Sequence, residues 1–177
     1  LLGYVITNEV RWMPLGHSPG GTVEVQPFGG GLRLHASWPD SDGARWSLSQ
    51  TFLPAGSNAI SFEGQVSVDQ DRAVLYLPLF TFLPGVGTHG TNKTQGLLAG
   101  VEYLENEPSS SEADLVGPES QRLVPDTLKV TFPLMALAAD GHYVGLLWEP
   151  APGLCVAHDS PDRQFASGGH LFELLYP

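Results

Sequence analysis

The sequence predicts an all-β domain built as an antiparallel sandwich, of the jelly-roll or mutarotase-like type, with little helix. Apolar residues alternate at period two in several stretches that turn-forming residues separate, which is typical of β-hairpins. The chain also contains 21 Gly and 15 Pro among 177 residues, which suits short strands and long loops. Residues 95–105 alone show weak helical spacing, and Gly96 and Gly100 within them disfavour a helix.

Three hairpins follow from the alternation. The first has arms at residues 32–38 and 45–52 and a turn at 39–43. The second has arms at 59–68 and 73–77 and a turn at 69–72. The third has arms at 128–137 and 142–148 and a turn at 138–141. In the second hairpin, Gly64 falls on the apolar phase and is expected to mark a bulge. In the third, Asp140-Gly141 is a strong turn signal, whereas Pro133 interrupts the first arm.

Apolar residues that share one phase of these arms are expected to form the core. They are Leu34, Leu48, Phe52, Ile60, Phe62, Val66, Leu75, Val130, Phe132 and Leu146. The length fits a single domain, residues 1–177, because all-β sandwiches commonly reach this size. Since the chain begins and ends within apolar runs, at residues 1–6 and 171–176, we interpret it as a domain excised from a larger multidomain protein.

Charge limits the partners of the domain. Asp and Glu number 19 against 8 Lys and Arg, and the formal net charge of −11 repels nucleic acids and anionic membranes. No window contains the roughly 18–20 apolar residues of a membrane-spanning helix. A neutral glycan meets no such repulsion, so the charge restricts the partners without naming one.

The four tryptophans fall into two classes. Trp38 and Trp46 share a phase with apolar neighbours and are expected in the core. Trp12 precedes a Gly-rich loop and Trp148 ends a strand, so either could offer a flat ring to a sugar or be partly buried. Both interpretations stay open for these two residues.

A second set of candidate ligand-binding residues lies in the long irregular stretch 83–125. A cluster beside several hydroxyl residues is able to accept hydrogen bonds from sugars or to coordinate Ca²⁺; its members are Glu102, Tyr103, Glu105, Asn106 and Glu107. His89 lies in the same stretch and joins the candidate set. The alternative is a solvated acidic loop, since no EF-hand spacing is present.

No motif indicates catalysis. The aspartates at hairpin tips, Asp40, Asp42, Asp69 and Asp71, are residues that turns commonly require. The six histidines form no H-x-H or H-E-x-x-H pattern, and the single cysteine, Cys155, lacks a basic activating neighbour. We therefore expect no enzyme activity, no cofactor and no catalytic metal, with Ca²⁺ as the one candidate ion.

Residues 93–111, 129–135 and 145–148 resemble the β-sandwich domains that accompany bacterial polysaccharide-active enzymes, including the galactose-mutarotase-like sandwiches. The resemblance implies a secreted or cell-surface, non-catalytic carbohydrate-binding module for a plant or microbial polysaccharide. It equally implies a structural sandwich packed against the attached catalytic domain of a glycoside hydrolase or polysaccharide lyase. The chain is shorter than the complete double sandwich, and no catalytic motif matches. A free-standing hydrolase or lyase is the third hypothesis.

Overall fold

A computed structural model of the chain describes residues 2–13, 20–82, 94–105, 115–116, 121–122, 126–139, 141–159 and 171–176. These residues form antiparallel strands almost throughout, and a single 3₁₀ turn, Thr127–Lys129, is the one helical element among them. The prediction of an antiparallel all-β fold with little helix is therefore confirmed. The chain divides into two compact units, unit 1 (Leu1–Leu79) and unit 2 (Phe80–Pro177).

Unit 1 contains two sheets. Its strands are β1 (Leu2–Ile6), β2 (Glu9–Met13), β3 (Thr22–Phe28), β4 (Gly31–Pro39), β5 (Arg45–Pro54), β6 (Ile60–Val68) and β7 (Ala73–Phe82), the last of which continues into unit 2. Strands β3 to β6 form a meander in chain order, whereas β1 pairs with both β2 and β7. Two-residue turns with positive φ close the β1–β2 and β3–β4 hairpins, at Thr7-Asn8 and Gly29-Gly30.

The first predicted hairpin is confirmed as β4 and β5, and the second is wrong. Strand β6 pairs with β5, but β7 pairs with β1 in the other sheet. Alternation looks the same in a hairpin and in two strands of different sheets that both contribute to one core, so the pattern alone could not separate these cases. Gly64 lies opposite Gln50 in unbroken register, so the predicted bulge is also wrong. The ring of Phe62 lies over Gly64 instead and occupies the space of a side chain.

The core of unit 1 draws residues from both sheets. Its buried members are Leu2, Met13, Ala36, Trp38 and Trp46. The prediction that Trp38 and Trp46 are core residues is confirmed, at 3% and 1% exposure. Sandwich packing of the whole chain stays a prediction, as does the single-domain assignment.

Most of the other core predictions were too strong. Ile60 is 73% exposed, and this prediction is wrong because Ile60 pairs with Pro54 at the end of the sheet that lies beyond the core cluster. Phe132, in unit 2, is 53% exposed, so the prediction that it is buried is wrong as well. The remaining eight residues are half-buried. In unit 1, Leu34, Leu48 and Val66 pack against the buried cluster without belonging to it.

The Asp40 carboxylate accepts five hydrogen bonds in unit 1. Its Oδ2 accepts hydrogen bonds from Trp46 Nε1 at 3.1 Å and Arg72 Nε at 2.8 Å. Its Oδ1 accepts from the backbone N–H groups of Asp42 and Ala44 and from Arg72 Nη2. The Asp40 and Arg72 side chains are both buried. The prediction of a structural turn aspartate is thus confirmed at Asp40, with a buried ion pair that the sequence did not reveal.

Acid is expected to destabilise unit 1 through Asp40 and Asp42. Burial alone would raise the pKa of Asp40, but the Arg72 guanidinium and the Trp46 and backbone N–H groups hold it below its ordinary value. The hydrogen bond from Tyr4 chiefly lowers the pKa of Asp42. A folded pKa below the unfolded value of about 3.9 gives stability that is complete above that pH and lost as pH falls through the folded pKa.

Urea unfolding between about pH 7 and pH 2 checks this expectation. The urea concentration at the unfolding midpoint should decrease as the pH is lowered below about 4. It should decrease less steeply in Asp42→Asn, which lacks one of the two carboxylates. A midpoint that holds or rises on acidification would contradict the assigned direction of both pKa shifts.

Unit 2 is also built of antiparallel strands. They are β8 (Gln95–Leu98), β9 (Glu102–Glu105), β10 (Leu115–Val116), β11 (Gln121–Arg122), β12 (Leu134–Ala139), β13 (His142–Leu147), β14 (Cys155–Asp159) and β15 (Leu171–Tyr176). The order β13-β12-β8-β9 makes a four-stranded sheet, while β10 pairs with β11 and β14 with β15. The buried core residues are Leu98, Met135, Leu137, Val156 and Leu174.

The third predicted hairpin is confirmed as β12 and β13, with a shorter first arm than expected. Pro133 cannot donate to a strand ladder, and β12 begins only after it. Residues 127–129 form the 3₁₀ turn, which Asp126 caps: the Leu128 N–H donates to Asp126 Oδ1 at 2.9 Å. Phe132 therefore lies outside the strand, which explains why its expected burial was wrong.

Candidate functional site

Trp12, one of the two candidate platform rings, packs on its own sheet in unit 1. It lies on β2 opposite Gly3, and its ring occupies the space that a side chain at Gly3 would need. The ring also contacts Tyr76, with 6.1 Å between centroids and 56° between planes. Because these contacts hold a half-buried ring, they favour a structural role, and ligand binding by Trp12 stays a prediction.

Trp148, the second candidate ring, lies in unit 2 directly after β13. Its backbone N–H donates to the Pro133 carbonyl at 3.3 Å, which fixes the chain beside the start of β12. Its half-buried ring packs against the core of unit 2. The ring also lines an open groove of about 440 Å³. We call this the Trp148 groove; it is lined by Thr127, Val130, Thr131, Phe132, Pro133, Trp148, Pro150, Ala151, Pro152, Leu154 and Val156.

The Trp148 groove combines rings, rigid backbone and hydroxyls. Phe132 stands exposed in it, so the groove offers two aromatic rings rather than one. Pro150 and Pro152 fix the backbone φ angles on the Trp148 side. Thr127 belongs to the capped 3₁₀ turn, and the Thr131 N–H donates to the Ala99 carbonyl at 2.9 Å, so both threonines sit on backbone that hydrogen bonds hold in place.

Chemically, this groove suits a ligand with flat apolar faces and hydroxyl edges. Aromatic faces pack against the C–H surfaces of pyranose rings, while threonine hydroxyls donate to and accept from sugar hydroxyls. Among the described residues that line the groove, none is a lysine, an arginine or an acid. This part of the lining therefore provides no charge for recognising an ionic ligand.

Tyr103 and Glu105, two of the second set of candidate ligand-binding residues, share one face of the edge strand β9. Tyr103 is 68% exposed, and its hydroxyl oxygen accepts from the Gly100 N–H at 2.9 Å, which fixes its ring over the β8–β9 turn. Glu105 is exposed and pairs with Gln95. Neither residue lines the Trp148 groove. The side chain of Glu102 and the whole of His89 lie outside the described residues.

Sequence reasoning missed Phe132 as a site residue, because it assigned Phe132 to the apolar phase of a strand. The signal that could have corrected it was the adjacent Pro133, since a strand that begins after proline leaves the preceding ring free to face outward. The three prolines of the groove carry no pattern that marks them as neighbours in space.

Among the described parts of the chain, no group of three or more His, Cys, Asp or Glu side chains is placed to hold a metal ion. Ca²⁺ binding near residues 102–107 stays a prediction. Cys155 is buried, and burial raises the pKa of its thiol, which disfavours the reactive thiolate. An inert thiol, as expected, is consistent with this environment.

Comparisons of the chain with family models, curated proteins and solved structures found no significant match. Within the described residues, no helix has both the length and the apolar character needed to span a membrane.

Proposed function

We propose that this chain is a non-catalytic carbohydrate-binding module that binds a neutral polysaccharide, plant or microbial, in the Trp148 groove. The single observation that carries the proposal is the pairing of Trp148 with the exposed ring of Phe132 in one uncharged groove beside Thr127 and Thr131. The net charge of −11 adds selectivity, because it repels polyanionic glycans. In this proposal the module is secreted and attached to a catalytic domain that acts on the same polysaccharide.

Affinity electrophoresis through gels that contain neutral glucan, xylan, mannan or galactan tests the proposal. At least one polysaccharide should retard the intact chain. Phe132→Ala and Trp148→Ala should each weaken the retarding interaction by about 1–3 kcal/mol, by analogy with the stacking of nucleic-acid bases on aromatic rings. Phe132→Ala is the cleaner variant, because its ring is exposed whereas Trp148 also supports the core.

Tyr143→Ala provides the matched control. Tyr143 is an aromatic residue of the same unit, 78% exposed on β13, and it does not line the groove. Its loss should leave retardation unchanged. If Tyr143→Ala weakens binding while Phe132→Ala and Trp148→Ala bind as the unmodified chain does, the binding surface is a sheet face and the groove is the wrong site.

One observation favours the structural alternative, a domain packed against a separate catalytic domain. The core face of the β3–β6 sheet is covered only in part: the edge strand β3 exposes Val23 and Val25, and the end of the sheet beyond the core cluster exposes Leu32 and Ile60. An apolar sheet surface of this kind suits a protein partner. Under this alternative the isolated chain binds none of the four polysaccharides, and Val25→Lys weakens its association with the catalytic domain of a glycoside hydrolase or polysaccharide lyase.

A further inference from the structure

The outer face of the β3–β6 sheet in unit 1 carries an open groove of about 370 Å³. The residues on this face alternate along the strands with core residues such as Trp38 and Trp46, so they point away from the core. We call the set the hydroxyl face; it consists of Thr22, Glu24, His35, Ser37, Ser47, Ser49, Gln65 and Ser67.

The strand register arranges these side chains in two rows across all four strands. In the first row, every strand contributes one hydroxyl, in the order Thr22, Ser37, Ser47 and Ser67. In the second row, the order is Glu24, His35, Ser49 and Gln65. Neighbouring strands lie about 4.8 Å apart, so each row spans about 14 Å.

The composition of the two rows selects a class of ligand. Serine and threonine hydroxyls and the Gln65 amide each donate and accept, which matches a ligand whose own hydroxyls do both. Glu24 is the one carboxylate in the groove, and it disfavours an anionic ligand. Arg45 Nη1 donates to Ser37 Oγ at 3.1 Å, which leaves the proton of that hydroxyl for donation to a ligand. The groove lacks the aromatic ring that marks the Trp148 groove.

We propose that the hydroxyl face is a second carbohydrate site, at which a neutral oligosaccharide lies across the four strands and exchanges hydrogen bonds with both rows. The site depends on the proposed function only for its ligand class, because unit 1 supplies all of its residues. Sheet hydrogen bonds hold the backbone of all four strands in place, so little ordering is needed when the ligand binds. In the absence of a stacking ring, we expect binding to be weaker here than in the Trp148 groove.

Amide NMR spectra of the intact chain, titrated with the hexasaccharides of neutral glucan, xylan and mannan, test this site directly. At least one hexasaccharide should shift amides of residues 35–37, 47–49 and 65–67 in a saturable way. The double variant Ser47→Val/Ser49→Val keeps β-compatible side chains and removes two hydroxyls, and it should weaken this binding about tenfold or more.

Glu63→Gln is the matched control, because Glu63 lies two residues before Gln65 on the same face of β6 and outside the groove. It should leave the affinity unchanged. The site is refuted if no hexasaccharide shifts the three segments, or if the shifts persist at equal affinity in Ser47→Val/Ser49→Val. Shifts at residues 130–132 and 148 report on the Trp148 groove separately, so failure of one site does not hide the state of the other.

Discussion

Replacing Asp40 with Ala is expected to lower the free energy of unfolding of unit 1 by about 3–5 kcal/mol, since it leaves one partner of a buried ion pair uncompensated. The Arg72 side chain is buried, and two of its nitrogens donate to the Asp40 carboxylate. The same substitution removes the acceptor of the Trp46 indole N–H and of two backbone N–H groups in the turn. Each of these donors would become unsatisfied in a poorly hydrated place.

Urea titration of Asp40→Ala beside Asp71→Ala measures the effect. Asp71 is exposed, its substitution changes the net charge equally, and the change in unfolding free energy should stay within about 0.5 kcal/mol. The double variant Asp40→Ala/Arg72→Met should recover part of the loss, because it removes the unpaired guanidinium as well. Equal stability of Asp40→Ala and Asp71→Ala would show that the ion pair does not hold the turn.

Replacing Trp46 with Ala is expected to cost about 3–5 kcal/mol, chiefly through the cavity that it leaves. Trp46 is 1% exposed in the core of unit 1, and its ring lies 6.3 Å from that of Tyr4. Because Trp46 also donates to Asp40, the effects of Trp46→Ala and Asp40→Ala should not be additive.

Trp12→Ala is the matched comparison for Trp46→Ala. The Trp12 ring is half-buried against Gly3 and Tyr76, so its removal should lower the free energy of unfolding clearly less than removal of the Trp46 ring. Thermal or urea unfolding of both variants gives the order. A Trp12→Ala variant as unstable as Trp46→Ala would mean that β2 is as central to the core as β5.

The sequence predicted those parts of the fold that local patterns control. Alternation along residues 32–52 predicted the β4–β5 hairpin and the burial of Trp38 and Trp46, and the Asp-Gly signal predicted that β12 and β13 pair, as they do from Leu134↔Leu147 to Ala139↔His142. At residues 59–77 the same pattern gave a wrong pairing, because alternation defines a strand and its buried face but does not name its neighbour.

The candidate sites were less predictable than the strands, because they depend on register and on residues distant along the chain. Trp148 could be named from its place at a strand end, but its groove also needs the prolines and Phe132, which no sequence spacing connects. The rows of the hydroxyl face exist only once β3 to β6 are aligned residue by residue. The Asp40–Arg72 pair likewise joins a turn to the start of another strand.

Fluorine NMR of the chain labelled with 5-fluorotryptophan shows whether Trp148 contacts a neutral glycan. The four tryptophans give four resonances, which Trp→Phe variants assign. Titration with the polysaccharide that most strongly retards the chain should move the Trp148 resonance in a saturable way and leave those of Trp38 and Trp46 in place. A Trp148 resonance that stays fixed while the glycan binds, or a shift confined to Trp12, would contradict the account.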